Sequence, residues 1–278
     1  MGQTPVKPLR ALPVRPLGRS GIHVSIVGLG TVKFGRASGV KYPTAVRIPS
    51  DDEARRLLDQ AREFGVTLID TAPAYGNSEQ RLGVLLRADT HPWFVVTKAG
   101  ESWDGERSTF DFSESEIQRS VARSADRLGQ SPGLVLLHSD GIAEQTSTGF
   151  DGAVRALRHA REQGRTRLIG ASVKTAQGAR LACEWADVLM LELGPDAGVI
   201  EAASHAARVG VGILAKKALA SGHLHTLGPT PIRTAMRRTL SHPGVASVVV
   251  GTTNIEHLRE NCEAATAAAD EGPMETGE

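Results

Sequence analysis

The stretch TLIDTAPAYGNSEQRLG, Thr67 to Gly83, carries three kinds of structure in one short run. Thr67-Leu68-Ile69 reads as a short buried strand, and Asp70 stands where the apolar run ends. Pro73 and Gly76 mark a loop, with Tyr75 inside it, and a helix begins near Ser78. Proline and glycine punctuate local structure, so the order is strand, loop, helix.

That order recurs along the chain. HVSIVGLG (His23–Gly30), VTLID (Val66–Asp70), WFVVTK (Trp93–Lys98) and LVLLH (Leu134–His138) are followed by RLIGAS (Arg167–Ser172), VLMLE (Val188–Glu192), VGILA (Val211–Ala215) and SVVVG (Ser247–Gly251). These eight runs are continuously apolar, as strands buried on both faces must be. Helical patterns separate them: SDDEARRLLDQAREFG, SEQRLGVLLR, SESEIQRSVARSADRLG, DGAVRALRHAREQG, TAQGARLACEWA, IEAASHAARVG, TPIRTAMRRTLSHPG and NIEHLRENCEAATAAA. Several start at Ser, Thr, Asp or Asn and stop at Gly, the usual caps. Strict alternation predicts an α/β fold with a parallel sheet and right-handed crossovers. At 278 residues the closed (β/α)8 TIM barrel is expected, as one domain over residues 1–278. VRPLGRSGIHV adds an N-terminal β-hairpin around Gly18–Gly21. An open doubly wound sheet would carry a G-x-G-x-x-G turn after its first strand; GLGTVKFG lacks that spacing, and no helix starts there.

Charge sets limits on function. There are 32 basic and 31 acidic residues, a net charge of +1, and aromatics make up 4%. Neither nucleic acid nor an anionic membrane is the expected partner. No run approaches the roughly 20 apolar residues of a membrane span. Cys183 and Cys262 sit in alanine-rich helical segments and read as reduced thiols of a cytoplasmic protein. His223 and His225, in HLH, have strand spacing for two metal ligands, but no third ligand pattern follows, so no metal is expected.

In a barrel of this kind chemistry sits at the C-terminal ends of the strands. Three successive strands end in titratable residues, Asp70, Lys98 and His138, with Tyr75 just beyond Asp70. Singly, each has a plainer reading: a loop cap, a solvated charge, a structural histidine, a half-buried aromatic. Together they make a general acid aimed at a carbonyl. Asp70 would hold Lys98, Lys98 would lower the pKa of Tyr75, and His138 would hydrogen-bond a substrate oxygen. Two long connections could wall the mouth: Gly35–Asp52, with Lys41 and Tyr42, and ESWDGERSTFDFS, with Trp103 as a pocket aromatic.

PLGRSGIHVSIVGLGT, IDTAPAYGNSEQRLG, VVTKAG, LLHSD, GRTRLIGAS and VVVGTTNIEHLREN occur in this order and spacing. Through them the chain resembles the aldo-keto reductase family over nearly its whole length. The resemblance implies an NAD(P)H-dependent carbonyl reductase with Asp70, Tyr75, Lys98 and His138 as catalytic residues and a small carbonyl compound as substrate. The cofactor would lie over the barrel mouth, NADP being expected and NAD possible. By position, Gly30 and Thr31 would line the nicotinamide end beside Asp70, and Ser172 would hold the carboxamide. Leu219 and Ser221 would follow the pyrophosphate. Gly251, Thr252 and Thr253 would meet the adenosine phosphate at free N–H groups of the last helix, with His257, Arg259 and Asn261 near the adenine end. Where the family commonly has Asn, Gln and a stacking Tyr around the nicotinamide, this chain shows Val173, Met190 and Leu193; His257 stands for the usual phosphate-binding Arg. These changes keep two other functions open: a redox-neutral lyase or isomerase on the same four residues, and a non-catalytic cofactor-sensing subunit. A monomer or weak homo-oligomer is expected.

Overall fold

The computed structural model describes residues 11–40, 45–87, 89–146, 148–220, 224 and 229–271. The chain opens with an antiparallel hairpin, β1 (Val14–Pro16) and β2 (His23–Ser25), turned through Gly18 and Gly21 at positive φ. The expected hairpin is therefore present. Then follow β3 (Val27–Gly30), α1 (Asp51–Glu63), β4 (Leu68–Asp70), α2 (Ser78–Leu86) and β5 (Phe94–Ala99). A second hairpin, β6 (Glu101–Trp103) and β7 (Ser108–Phe110), precedes α3 (Glu114–Leu128) and β8 (Leu134–His138). The rest is α4 (Asp151–Glu162), β9 (Leu168–Ser172), α5 (Ala176–Ala182), β10 (Val188–Leu191), α6 (Ala197–Arg208), β11 (Gly212–Lys216), α7 (Pro229–Leu240), β12 (Val245–Gly251) and α8 (Ile255–Glu271). Eight parallel strands close in the order β3-β4-β5-β8-β9-β10-β11-β12, with β12 pairing back onto β3. This is the (β/α)8 TIM barrel that the alternation predicts.

Local chemistry sets the element ends. Ser50 and Glu53 form a reciprocal capping box that starts α1, and Gly65 at positive φ follows its end. Ala54, Leu57, Leu58 and Ala61 then fall on one buried face. The strands are apolar on both sides because each side meets a different core. Leu68, Val96, Leu134, Leu136, Val188, Met190 and Leu214 fill the barrel interior. Ile69, Val95, Val135, Leu137, Ile169 and Leu189 face the helices. Leu17 and Val24 of the first hairpin join the interior cluster, and Arg19 N donates to Gly210 O at 2.8 Å, so the hairpin plugs the barrel at the end where the strands begin.

Two of the differences from the sequence reading bear on the site. His23–Gly30 is not one strand. Ser25 Oγ donates to Val27 O at 2.6 Å and Ile26 N to Pro13 O at 3.0 Å, turning the chain from the hairpin into the barrel. Both halves are apolar, so the apolar pattern alone does not register the change of direction. The seventh barrel strand extends one residue further than VGILA, to Lys216.

Two contacts fix the layer behind the mouth. Glu79 on α2 is fully buried; its carboxylate accepts from Thr97 Oγ1 at 2.6 Å and from Arg127 Nη1 at 3.2 Å, tying α2 to β5 and α3. Gly76 (φ +62°) packs so closely on Gly35 that a Cβ on it would collide with the Gly35 carbonyl. A Cβ on Gly35 would in turn meet the Tyr75 carbonyl, so bare backbone on both loops sets the height of Tyr75.

Glu79→Ala leaves Thr97 and Arg127 without their acceptor and is expected to cost about 2–4 kcal/mol, read as a shift of the urea midpoint at constant slope. Gly76→Ala is expected to cost about 1–3 kcal/mol and to displace Tyr75. A change below about 0.5 kcal/mol in either variant would contradict the role given to that contact.

Candidate active site

Asp70, Lys98 and His138 are brought together because β4, β5 and β8 are neighbours in register. Asp70 pairs with Val96, Lys98 with Leu136, and His138 with Ser172. Tyr75 follows in a short 3-10 turn, Pro73–Tyr75, held by Arg36 Nη1 donating to Ala74 O at 3.1 Å. Lys98 Nζ donates to Asp70 Oδ1 at 2.6 Å, to Thr71 O at 2.9 Å and to Tyr75 Oη at 3.1 Å. Tyr75 Oη lies 3.5 Å from Asp70 Oδ2, and the Tyr75 and His138 rings meet edge-on at 6.4 Å. The four residues predicted from strand ends form one cluster.

Their electrostatics differ from the sequence reading at one point. Burial raises the Tyr75 pKa well above its ordinary value, the carboxylates of Asp70 and Glu101 add to the rise, and Arg36 opposes it. The sequence reading expected a fall caused by Lys98; instead the phenol loses water and faces two anions. Tyr75 is therefore a protonated phenol throughout the neutral range, with Lys98 Nζ 3.1 Å from its oxygen.

Glu101 and Arg36, which the sequence reading missed, stand beside these residues. Glu101 Oε2 lies 2.8 Å from His138 Nδ1, an ion pair only when the ring is protonated. Burial opposes ionisation of Glu101, but His138, the Ser108 hydroxyl at 2.5 Å and Arg36 together hold its carboxyl down to about 2. Burial pushes the His138 pKa below its ordinary value; Glu101 opposes, while Lys98 and Lys216 add to the fall. Trp103, expected as a pocket aromatic, packs under the Arg36 guanidinium, 3.5 Å from the ring centroid, and is not among the residues lining the groove.

A groove of about 480 Å³ runs from the tetrad across the mouth. Gly30, Asp70, Ser172, Leu219, Gly251, Thr252, His257 and Asn261 line it as expected, with Val173 and Met190. Thr31 does not: its hydroxyl donates to Asp70 O at 2.9 Å and its side chain is buried against Ser78. Thr253 is not a lining residue either, and Arg259 turns away to place its guanidinium 5.1 Å from the Phe64 ring centroid. The amides expected to be free at the start of α8 are partly used, since Asn254 Oδ1 accepts from Glu256 N and His257 N. Leu193 packs into the outer core and not into the groove. Lys216, which the sequence reading left beyond its strand, enters the groove: Nζ reaches past β10 to donate to Ser172 Oγ at 2.9 Å and Val173 O at 3.0 Å. The signal was the one that marked Asp70, Lys98 and His138, a titratable residue ending an apolar run. Ser221, His223, His225, Lys41 and Tyr42 lie outside the described residues. Among the described residues no group of His, Cys, Asp or Glu is placed to hold a metal, no helix is long and apolar enough to cross a membrane, and both cysteines are free.

The groove suits a dinucleotide at its far end. Asn261 is buried, lines the groove, and its Oδ1 has no hydrogen-bond partner, an acceptor left for an incoming donor. With the tetrad at one end and Gly251, Thr252 and Asn261 at the other, the residues present fit a nicotinamide cofactor.

Relatives agree with this fit. Residues 26–233 match the model of the aldo/keto reductase family. The chain is 40% identical to a solved structure from Pseudomonas aeruginosa, of a protein assigned to the aldo-keto reductases, with a TM-score of 0.84 over 96% of this chain and 100% of that one. It is 27% identical to L-galactose dehydrogenase of Arabidopsis thaliana over 91% of this chain and 88% of the relative. It is 28% identical to an NADH-specific methylglyoxal reductase of Escherichia coli over 64% of this chain and 57% of that protein. The chain belongs to the aldo/keto reductase family and is an NAD(P)H-dependent oxidoreductase.

Proposed function

We propose that this enzyme reduces a small aldehyde or ketone to an alcohol, with Tyr75 as the proton donor. The observation that carries the reading is the 3.1 Å contact between Lys98 Nζ and Tyr75 Oη, with Lys98 itself held at 2.6 Å by Asp70. A bound nicotinamide would supply the hydride to the carbonyl carbon. Tyr75, neutral before reaction, gives its proton to the carbonyl oxygen as negative charge develops there. Lys98 stabilises the phenolate left behind, and Asp70 keeps Lys98 in place and charge-balanced. His138 lines the groove edge-on to Tyr75, where it is placed to contact the substrate oxygen, with Glu101 2.8 Å from its Nδ1. Relatives named for L-galactose and methylglyoxal favour a small oxygen-rich carbonyl compound as substrate.

Ser172, Leu219, Gly251, Thr252 and Asn261 would hold the cofactor. NADPH is the proposed form, recognised through Thr252 and His257, the polar groups lining the groove beside Gly251.

Tyr75→Phe is expected to lower kcat for carbonyl reduction by about 10²–10⁴-fold while leaving cofactor affinity within about threefold. Unchanged turnover would remove Tyr75 as the acid. Because the phenol sits above its ordinary pKa, its donor role is lost only as pH rises past that raised value, so the proton-donating step is expected to be flat from pH 7 to 9. Titration by tryptophan fluorescence should give NADPH the lower Kd, by about tenfold, one phosphate contact being worth about 1.4 kcal/mol. Equal affinities, or tighter NADH, would refute recognition of a 2′-phosphate.

A further inference from the structure

Two lysines reach the barrel mouth in different company. Lys98 Nζ meets the Asp70 carboxylate at 2.6 Å. Among the described residues, Lys216 Nζ meets only neutral oxygens, Ser172 Oγ at 2.9 Å and Val173 O at 3.0 Å. Those two acceptors match the two N–H groups of a neutral amine and leave its lone pair for the groove that Lys216 lines. An ammonium would carry a third N–H with no acceptor among them. The position is also held: the next residue, Lys217, has φ +57° and is tied to Glu192 at 2.7 Å. Positive φ outside glycine occurs elsewhere among the described residues at Ala220 alone, in the same turn.

The surrounding charges favour the neutral form. Burial pushes the Lys216 pKa down, and Lys217 beside it and Lys98 from β5 push further; Glu144 and Glu192 oppose too weakly, and the result is about 7. His138 faces the same space from β8. A desolvated amine beside another cation is the recognised way to make lysine nucleophilic at neutral pH.

We propose that Lys216 is a second reactive group of this cavity, a nucleophilic amine that captures aldehydes entering the groove as reversible imines. The proposal rests on the reading that carbonyl compounds enter this groove. The Nζ lone pair forms a C–N bond to the carbonyl carbon, and the π pair of C=O moves to the oxygen, which takes up a proton. That oxygen leaves as water, and Nζ gives up two protons in all to form C=N. One aldehyde and one amine become one imine and one water, with no change of oxidation state and no co-reactant. Tyr75 and His138 lie on the same cavity and can serve these proton transfers. Capture would hold a small carbonyl compound without cofactor and gives the cavity a chemistry separate from hydride transfer.

The test treats the full-length, cofactor-free protein with 4-nitrobenzaldehyde and sodium cyanoborohydride, which reduces an imine to a stable benzylamine. Adducts are located by peptide mass spectrometry. At pH 7 an amine with a pKa of about 7 is roughly half neutral, whereas a lysine at the ordinary value of about 10.4 is neutral to the order of one part in a few thousand. Lys216 is therefore expected to be labelled at least about tenfold faster than exposed Lys174, with the advantage shrinking at pH 10. Labelling of Lys216 no faster than Lys174 in the wild-type protein overturns the proposal. So does a fast-labelled site that persists in Lys216→Arg. Reduction of the same aldehyde with NADPH is assayed in parallel. Labelling without reduction leaves the capture intact and sinks the reductase reading, and reduction without labelling does the reverse.

Discussion

The pair of opposite charges at the barrel mouth, Asp70 and Lys98, constrains everything around it. Both side chains are almost fully withdrawn from water, and the contact is 2.6 Å. Withdrawing two charges is costly, and only close geometry with further hydrogen bonds offsets it. The structure supplies both. Lys98 finds Thr71 O and Tyr75 Oη, and the β4–β5 register brings its strand beside that of Asp70. A one-residue slip of β5 would turn Lys98 into the outer layer and Thr97 into the interior, leaving each charge alone. The ion pair and the sheet register therefore specify each other.

Behind the mouth a second buried carboxylate repeats the theme. Glu79 joins α2 to β5 through Thr97 and to α3 through Arg127. Thr97 and Lys98 are adjacent and point to opposite faces of β5, so one strand carries a carboxylate contact of the helix layer on its outer side and the Lys98–Asp70 pair on its inner side. On the far side of the groove Glu144 does similar structural work. Its buried carboxylate accepts from the backbone N–H groups of Lys174 and Thr175 and from Thr175 Oγ1, fixing the loop that follows Ser172 and Val173. The oxygens that receive Lys216 are thus held from below by an anion, while none of the oxygens hydrogen-bonded to Lys216 is itself charged.

The mouth is electrically uneven as a result. One lysine is neutralised by a partner and serves a phenol. The other lacks a carboxylate partner among the described residues and is pushed toward the free amine. They differ in whether an acid stands within hydrogen-bond reach. A similar contest decides Tyr75, where the loss of water and two nearby anions outweigh the Arg36 guanidinium.

Much of this was written in the sequence. Continuous apolar runs, caps at helix ends and glycines at turns determined the alternating elements, because each reflects a short-range preference or a period along the chain. The hairpin and the tetrad were legible for the same reason: turn residues and strand-end titratable groups are local signals. What required the tertiary structure was direction and company. The apolar pattern did not separate β2 from β3, because a change of heading leaves no mark on hydrophobicity. Lys216 was missed because its strand was expected to end one residue earlier, at Ala215, and Leu193 left its expected place because it packs into the outer core. Thr31, Arg259 and Trp103 left their expected places because each found a nearer partner in Asp70, Phe64 or Arg36. The sense of the Tyr75 shift likewise depended on burial and on Glu101, a residue that only the fold brings beneath His138, since the free energy of a charge is set by everything within a few ångströms and not by its neighbours in sequence.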